Sequence, residues 1–324
     1  ERKKKGSLFD LYSRENVPLA FLAVNEGGLR GAIARITEEN RGFIRFSSGD
    51  PTELNHQKEV ATRIISGEPF YIDGTSALVL SEPGILEKIY EHLPNLKVPQ
   101  SVITFLLETE GKFRYMPGLA GYMGYAQGRL TFSSVDEDTR ATIQRNFKHS
   151  IKLLESKPQN ISAISAANKV DSFCEQRVQA ELCDACVSAQ KDKVPVLTED
   201  FLYLQANELD TNKKAPEYCS AFALVRVLYE QKKITFEEYL KFFAYLSSYR
   251  FRFLPLTTED IEKAVFGDGT IITVQPERIR WFNFPLTLSE QYGVPLGTAF
   301  SVVAGFLTKV LIDDAILPEV AERI

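Results

Sequence analysis

The sequence predicts an α/β fold, a parallel sheet with helices on both faces. Short apolar runs that end at acidic or turn residues, such as "FYID" and "VPVLTED", read as buried strands. Longer segments with apolar residues at i, i+3 and i+4 separate them and read as helices. Strands alternating with helices of this size point to a parallel sheet. A chain of 324 residues, 44% hydrophobic and 25% charged, can bury a core of that kind as one large domain or two smaller ones.

Taken in order, residues 8–36 read as mostly helical, with "NEGG" as an interruption. "FIRFSS" is a short strand. "DPTELNHQKEVATRIISG" opens on Asp50-Pro51, a good helix start, and closes on a Gly. "FYID" is an apolar strand, and "SEPGILEKIYEHL" reads as the helix after it. "NLKVP" is a short apolar step before the helix "QSVITFLLETE". "RYMPGLAGYMGYAQGRLTFSS" is rich in Gly and Tyr and reads as a loop or hairpin. "DEDTRATIQRNFKHSIKLLES" and "AELCDACVSAQK" are helical. "VPVLTED" is a strand that runs straight into acidic residues. "SAFALVRVLYEQKK" and "TFEEYLKFFAYLSS" form a helical pair, "YRFRFLPL" alternates like a strand, and "TTEDIEKAV" starts another helix. From "GDGTIITVQPERIRWF" onward we expect a strand or hairpin and a mostly helical tail. No repeat of fixed period and no low-complexity tract is present.

Composition narrows the chemistry. The net charge of −5 is not that of a nucleic-acid binder, so any such binding must use local basic patches. The three histidines, His56, His92 and His149, argue against His-based metal sites. No apolar run reaches the ~18–20 residues that cross a membrane. The opening "ERKKKGSLFD" has neither a Met nor a secretory signal, and we expect a piece of a longer protein with "ERKKK" in an interdomain linker. The four cysteines then fit a reducing, cytoplasmic setting.

Carboxylates remain as the candidates. Ligands gather at the C-terminal edge of the strands in an open α/β sheet. Asp73 closes "FYID" there, and Asp200 follows "VPVLT" at the same edge. Asp184 lies in the helix before that strand, and Glu108 ends the apolar helix "VITFLLE". Carboxylates gathered in one cleft repel one another strongly and persist if a cation neutralises them. All-oxygen ligands suit Mg²⁺ or Mn²⁺, ions that activate water and hold a phosphodiester. The bland alternatives are a turn or helix cap at Asp73, capping of the next helix by Thr198-Glu199-Asp200, and a solvated helix position for Glu108.

In that order the acids resemble the PIN domain (PilT N-terminus), a metal-dependent nuclease fold. "YIDGTSALVL" looks like its first strand, with Asp73 as first acid and Thr75 or Ser76 as the hydroxyl that follows. "VPQSVITFLLE" resembles the second strand edge and helix. "CDACVSAQKDKVPVLTEDFLYLQ" is the most specific piece, an Asp opening a helix of small residues and a strand ending in Thr-x-Asp. The match implies Asp184 as third acid, Thr198 as the hydroxyl and Asp200 as fourth acid. "LYSRENVPLAFLA" and "KKITFEEYLKFFAYLSSYRFRFLPLTTEDIEKA" resemble a narrower group, the C-terminal PIN modules of bacterial proteins with tetratricopeptide repeats and a GreA/GreB C-terminal-like domain. The resemblance covers roughly Leu11 to Val265. It implies a parallel sheet of about five strands flanked by helices, with helical N- and C-terminal extensions. The expected layout is a mostly helical segment over 1–66, a PIN-like nuclease domain over 67–265, and a strand and helix extension over 266–324.

One departure concerns the second acid. Phe105 stands about two turns after the Pro of "VP", where many PIN domains carry a Glu; Glu108 lies one turn later on about the same helical face. Glu108 substitutes, or Glu110 does, or the acid is missing.

Several other features carry a functional and a structural reading. Cys183 and Cys186 flank Asp184, and small packing residues suit them better than zinc ligands, because Cys174 and Cys219 lie at irregular spacing. Arg114, Tyr115, Tyr122, Tyr125 and Arg129 interleave basic and aromatic groups that could grip phosphates and stack bases, or pack a hairpin on the domain. Arg250 and Arg252 share one face of a strand, either toward nucleic acid or simply in solvent. "GDGT" is a turn signal.

The leading expectation is a Mg²⁺- or Mn²⁺-dependent nuclease, an endoribonuclease by what the family implies. Asp73, Glu108, Asp184 and Asp200 would be metal ligands, with Thr198 and Thr75 orienting ligands or water. The competing expectation is a catalytically inert PIN-fold module that binds or scaffolds. A phosphoacceptor receiver is discounted, since Thr257-Thr258-Glu259 stand where its Lys after the last strand is needed. Expected partners are nucleic acid (RNA before DNA), upstream domains of the same chain and a second copy in a homo-oligomer, with no membrane.

Overall fold

The computed structural model describes residues 2–15, 17–39, 41–114, 121–126, 129–134, 136–157, 160–162, 179–211, 214–252, 254–255, 257–266 and 304–308. The expected strand or hairpin after residue 266 and most of the expected tail lie outside them.

The chain opens with helices α1 (Arg2–Arg14), α2 (Leu19–Asn25) and α3 (Leu29–Glu38) and a two-residue strand, β1 (Ile44–Arg45). Gly28, at φ 114, makes the turn between α2 and α3 where "NEGG" predicted a break. Helix α4 (Pro51–Ile65) starts at the expected cap, with Asp50 accepting from the Thr52 amide and Pro51 in the first turn.

The main sheet begins at β2 (Phe70–Ile72), fully buried. Helix α5 (Gly74–Ser81) follows at once, then α6 (Ile85–Ile89), a 3₁₀ turn (Tyr90–His92) and β3 (Leu96–Pro99). Here the structure departs from the single helix expected at "SEPGILEKIYEHL". The helix starts at Gly74 and is buried on every side. A run that is apolar all round carries no period to read. Pro83 and Gly84, the latter left-handed at φ 78, separate α5 from α6.

Helix α7 (Gln100–Arg114), the hairpin β4 (Gly121–Ala126) and β5 (Arg129–Ser134), and α8 (Glu137–Glu155) come next. The hairpin is antiparallel, with Tyr122 opposite Ser133 and Tyr125 opposite Leu130. Strand β6 (Ile161–Ser162) precedes α9 (Ala180–Asp192), β7 (Val196–Leu197), α10 (Phe201–Thr211) and β8 (Tyr218–Cys219). Helices α11 (Ala221–Glu230) and α12 (Phe236–Ser248), strand β9 (Phe251–Arg252) and α13 (Thr258–Phe266) follow. Helix α12 carries a full capping box, Thr235 with Glu238.

The fold class is α/β. Five strands in the order β6-β3-β2-β7-β8 form an all-parallel sheet flanked by helices. The chain leaves β2 toward β3 on one side and leaves β7 toward β8 on the other, so the strand order reverses between β2 and β7. That reversal opens a crevice at the C-terminal edge. Residues 1–66 join the same hydrophobic core: α4 packs on α11 and β8, and β1 pairs in parallel with β9. No helix among the described residues is long and apolar enough to cross a membrane.

Candidate functional site

The crevice between β2 and β7 is where the sequence places its acids. The ladder runs to the end of β2, with the Asp73 amide donating to the Leu197 carbonyl at 3.1 Å. Asp73 then caps α5, its Oδ1 accepting from the Ser76 amide at 2.9 Å and the Thr75 hydroxyl at 2.7 Å. Thr198, just past β7, donates to Asp73 Oδ2 at 2.6 Å and accepts from the Asp200 amide at 3.1 Å. Thr75 also accepts from the Glu199 amide at 2.8 Å. Two loops from neighbouring strands are thus tied through hydroxyls to one carboxylate.

The next two acids also sit on helix starts. Asp200 Oδ1 accepts from the Tyr203 amide in the first turn of α10, at 3.3 Å. Its Oδ2 accepts from the Ala20 amide in the first turn of α2, at 2.7 Å. Glu199 Oε1 accepts from the Ala221 amide that opens α11, at 2.6 Å, and from the Ser76 hydroxyl at 2.9 Å. Among the described residues, amides from the first turns of α2, α5, α10 and α11 therefore converge on Asp73, Glu199 and Asp200. The positive ends of helices are one physical answer to crowded carboxylates. The capping role expected as the bland alternative is present at Asp73, and for the next helix at Asp200.

The compensation is incomplete. Burial, opposed by these hydrogen bonds, pushes Asp73 from its ordinary 3.8 up to about 7, and the charge of Asp200 adds to the rise. Burial likewise takes Glu199 up to about 8 and Asp200 to about 6. Glu199 Oε2 is buried with no hydrogen-bond partner among the described residues.

A second acid group lies beside the first. Asp184, on α9, is 1% exposed. Burial first, then the charges of Glu108 and Asp184, raise the pKa of Glu181, one helical turn before Asp184. Glu108 and Asp184 thus lie within electrostatic reach of one carboxyl. Gly74 is where the two groups touch: a Cβ on it would stand 2.9 Å from the Glu181 carbonyl oxygen. The approach of α5 to α9 requires a glycine there.

Glu108 itself is exposed, and Phe105 packs against the core. Glu110 turns the other way. It is buried against α8, where it accepts from Gln144 at 2.8 Å and pairs with Arg114 at 2.9 Å and Lys148 at 3.6 Å. Of the three readings of the second acid, the structure puts Glu110 in an ion network with Arg114 and Lys148, while Glu108 is exposed on α7 within electrostatic reach of Glu181.

The remaining candidates are scattered. Tyr115 lies outside the described residues; Tyr122, Tyr125 and Arg129 are on the hairpin, where only the backbone is described. Cys183 and Cys186 are buried on α9 among its packing residues. Arg250 is 6% exposed, not a solvated strand residue, because it precedes β9 in a left-handed conformation at φ 61. Sequence reasoning missed Glu199 as a site group, Glu181, and α2 as the cover over Asp200. Two signals were present: the middle residue of Thr-Glu-Asp, and a Glu spaced i, i+3 before Asp184.

The donor set is oxygen throughout, which suits a hard divalent ion, and the unpartnered Glu199 oxygen is a buried acceptor in the same pocket. The residues therefore fit such an ion in kind. Among the described residues, however, no three His, Cys, Asp or Glu side chains are arranged around one point as an ion-holding group. Loading would require the carboxylates to turn from their amide partners. Compared with protein-family models, curated proteins and solved structures, the chain matches none.

Proposed function

We propose that the crevice between β2 and β7 is the active site of a Mg²⁺- or Mn²⁺-dependent nuclease of PIN type, an endoribonuclease, and the effector part of a larger bacterial protein. The observation that carries this reading is the Thr198–Asp73 hydrogen bond, 2.6 Å long, across the point where the strand order reverses. It brings the Thr-x-Asp segment against the first acid; Asp184 on α9 and Glu108 on α7 would complete the set.

Asp73, Asp184, Asp200 and Glu108 would hold the ion. When bound, the ion neutralises the acids, acidifies water and offsets charge building on the phosphodiester. The chain's own groups do the positioning. Thr198 fixes the rotamer of Asp73 through Oδ2, and Thr75 fixes Oδ1 while holding the Glu199 amide. The first turns of α5, α10 and α11 aim partial positive charge into the crevice, which favours an anionic substrate.

The test is cleavage of labelled RNA and DNA oligonucleotides with Mn²⁺, Mg²⁺ or EDTA, wild type beside Asp184→Asn. We expect metal-dependent cutting of RNA and its loss by ~100-fold or more in the folded variant, since even groups behind a metal ligand cost ~10–100-fold when removed. Full activity in Asp184→Asn sinks the reading. A second reading, an inert PIN-fold binding or scaffolding module, is favoured by the helix amides that already occupy Asp73 and Asp200. Nucleic-acid binding unchanged by EDTA, with no cleavage and no metal uptake, would select it.

A further inference from the structure

The carboxylates of the crevice are not all held by their own loops. Asp73 Oδ1 accepts from the Ser76 amide and Asp200 Oδ1 from the Tyr203 amide, each three residues on in the sequence. Those bonds belong to the turns that present the acids and travel with them. Asp200 Oδ2 is different. Its partner is the Ala20 amide at 2.7 Å, 180 residues upstream. Both oxygens of Asp200 are thereby engaged.

The segment that supplies this amide is attached mainly to other parts of the molecule. Helix α2 is seven residues long and packs chiefly on its neighbours α1 and α3, touching α10 at the crevice. It follows Pro18 and is separated from α3 by Gly27 and Gly28, at φ 76 and φ 114. Two successive glycines at positive φ form a joint that can absorb a change in backbone angles.

Electrostatics says what the contact does. Burial raises Asp200, and the backbone of Ala20 and then of Leu19 opposes the rise. The Ala20 amide thus acts in part as a cation would: it favours the ionised carboxylate in a buried place. Amide and cation antagonise each other there, because a cation on Oδ2 would face the positive end of the N–H dipole.

We propose that α2 is an autoinhibitory latch: the Ala20 amide occupies Asp200 Oδ2 in the resting protein, and loading of a divalent ion requires its release. The inference rests on the reading of Asp200 as a metal ligand. It gives a reason why, among the described residues, acids that share one crevice do not surround one point. Release frees Oδ2 while Tyr203 keeps Oδ1, so Asp200 stays oriented at the start of α10. By linkage, whatever loosens α2 tightens the ion, and the ion loosens α2 to the same extent.

The test is calorimetric titration with Mn²⁺ of the wild-type chain and of Ala20→Pro, with circular dichroism as the check on folding. The substitution deletes the N–H in the first helical turn, where proline is tolerated. We expect Mn²⁺ binding ~10-fold or more tighter in Ala20→Pro, the size of one lost hydrogen bond to a charged group. Hydrogen exchange read by mass spectrometry needs no variant. Saturating Mn²⁺ should speed exchange across α2 of the wild type by ~10-fold over EDTA, with α4 unchanged. If Ala20→Pro does not fold, the exchange measurement decides alone. Equal or weaker Mn²⁺ binding in folded Ala20→Pro, or unchanged or slower exchange in loaded wild type, overturns the latch and leaves the nuclease reading standing. Mn²⁺ uptake by Ala20→Pro alone supports the latch in its strongest form. No Mn²⁺ uptake by any folded protein overturns both.

Discussion

Glu199→Gln should stabilise the protein at neutral pH and change the shape of its pH dependence. The wild-type carboxyl is 1% exposed and raised from 4.5 to about 8. At about pH 7 the folded chain keeps a proton there that the unfolded chain has released, which costs about 3 kcal/mol at ~1.4 kcal/mol per unit. Gln has the same shape and no charge, and its Oε1 can keep the bonds from Ser76 and Ala221. Its NH₂ takes the place of an oxygen that has no partner, and an unpaired buried donor costs ~1–2 kcal/mol. The net gain is ~1–2 kcal/mol at about pH 7.

The sign follows from the raised folded pKa. The stability that Glu199 contributes is fully present below 4.5 and is lost as pH rises through about 8. The variant should thus be slightly less stable than wild type at about pH 5, cross over near about pH 6, and lead by ~3 kcal/mol at about pH 8.5. Urea unfolding in EDTA at those values measures the difference. A gap that stays flat across the range, or widens in favour of wild type, would refute the reasoning about burial.

Thr198→Val keeps the side-chain shape and removes the hydroxyl that serves Asp73 Oδ2 and the Asp200 amide. We expect a loss of about 2–4 kcal/mol in urea unfolding; a change below about 1 kcal/mol would mean that the hydroxyl does not bridge the two strand ends. Gly74→Ala places a methyl group 2.9 Å from a backbone oxygen of α9. It should cost ~1–3 kcal/mol and lower Tm by several degrees in calorimetry, and an unchanged Tm would show that α5 and α9 stand farther apart.

Much of the parallel sheet was legible because strand ends and helix starts leave local marks. "FYID" and "VPVLTED" announce β2 and β7 through an apolar run broken by acid and hydroxyl residues, and those marks also located the crevice. Strands β6 and β8 are two residues long and carry no alternation to detect. Helix α5 was hidden because burial on every side erases the helical stripe. Arg250 was misjudged because alternation holds only while the chain stays extended, and a left-handed residue resets the phase. Asp73, Asp184 and Asp200 could be picked out as a set, but the way Asp200 is neutralised could not. Its amide partner at Ala20 is 180 residues away, and no local pattern connects the two.

That separation bears on the order in which the molecule assembles. The Ala20–Asp200 bond closes a loop of 180 residues, and the bond between Gly42 and Arg250 spans 208. Closing such loops costs entropy before any contact repays it, and long-range pairing slows folding. As the chain emerges from the ribosome, α2 and β1 appear first, yet each must wait for a partner made much later. Until then β1 has an open edge, and the first turn of α2 lacks its carboxylate. The crevice can close only after residue 200 has been made, and the Gly42–Arg250 bond only after residue 250. Both long-range ties are therefore late products of synthesis, and a nascent chain truncated before α10 would have neither.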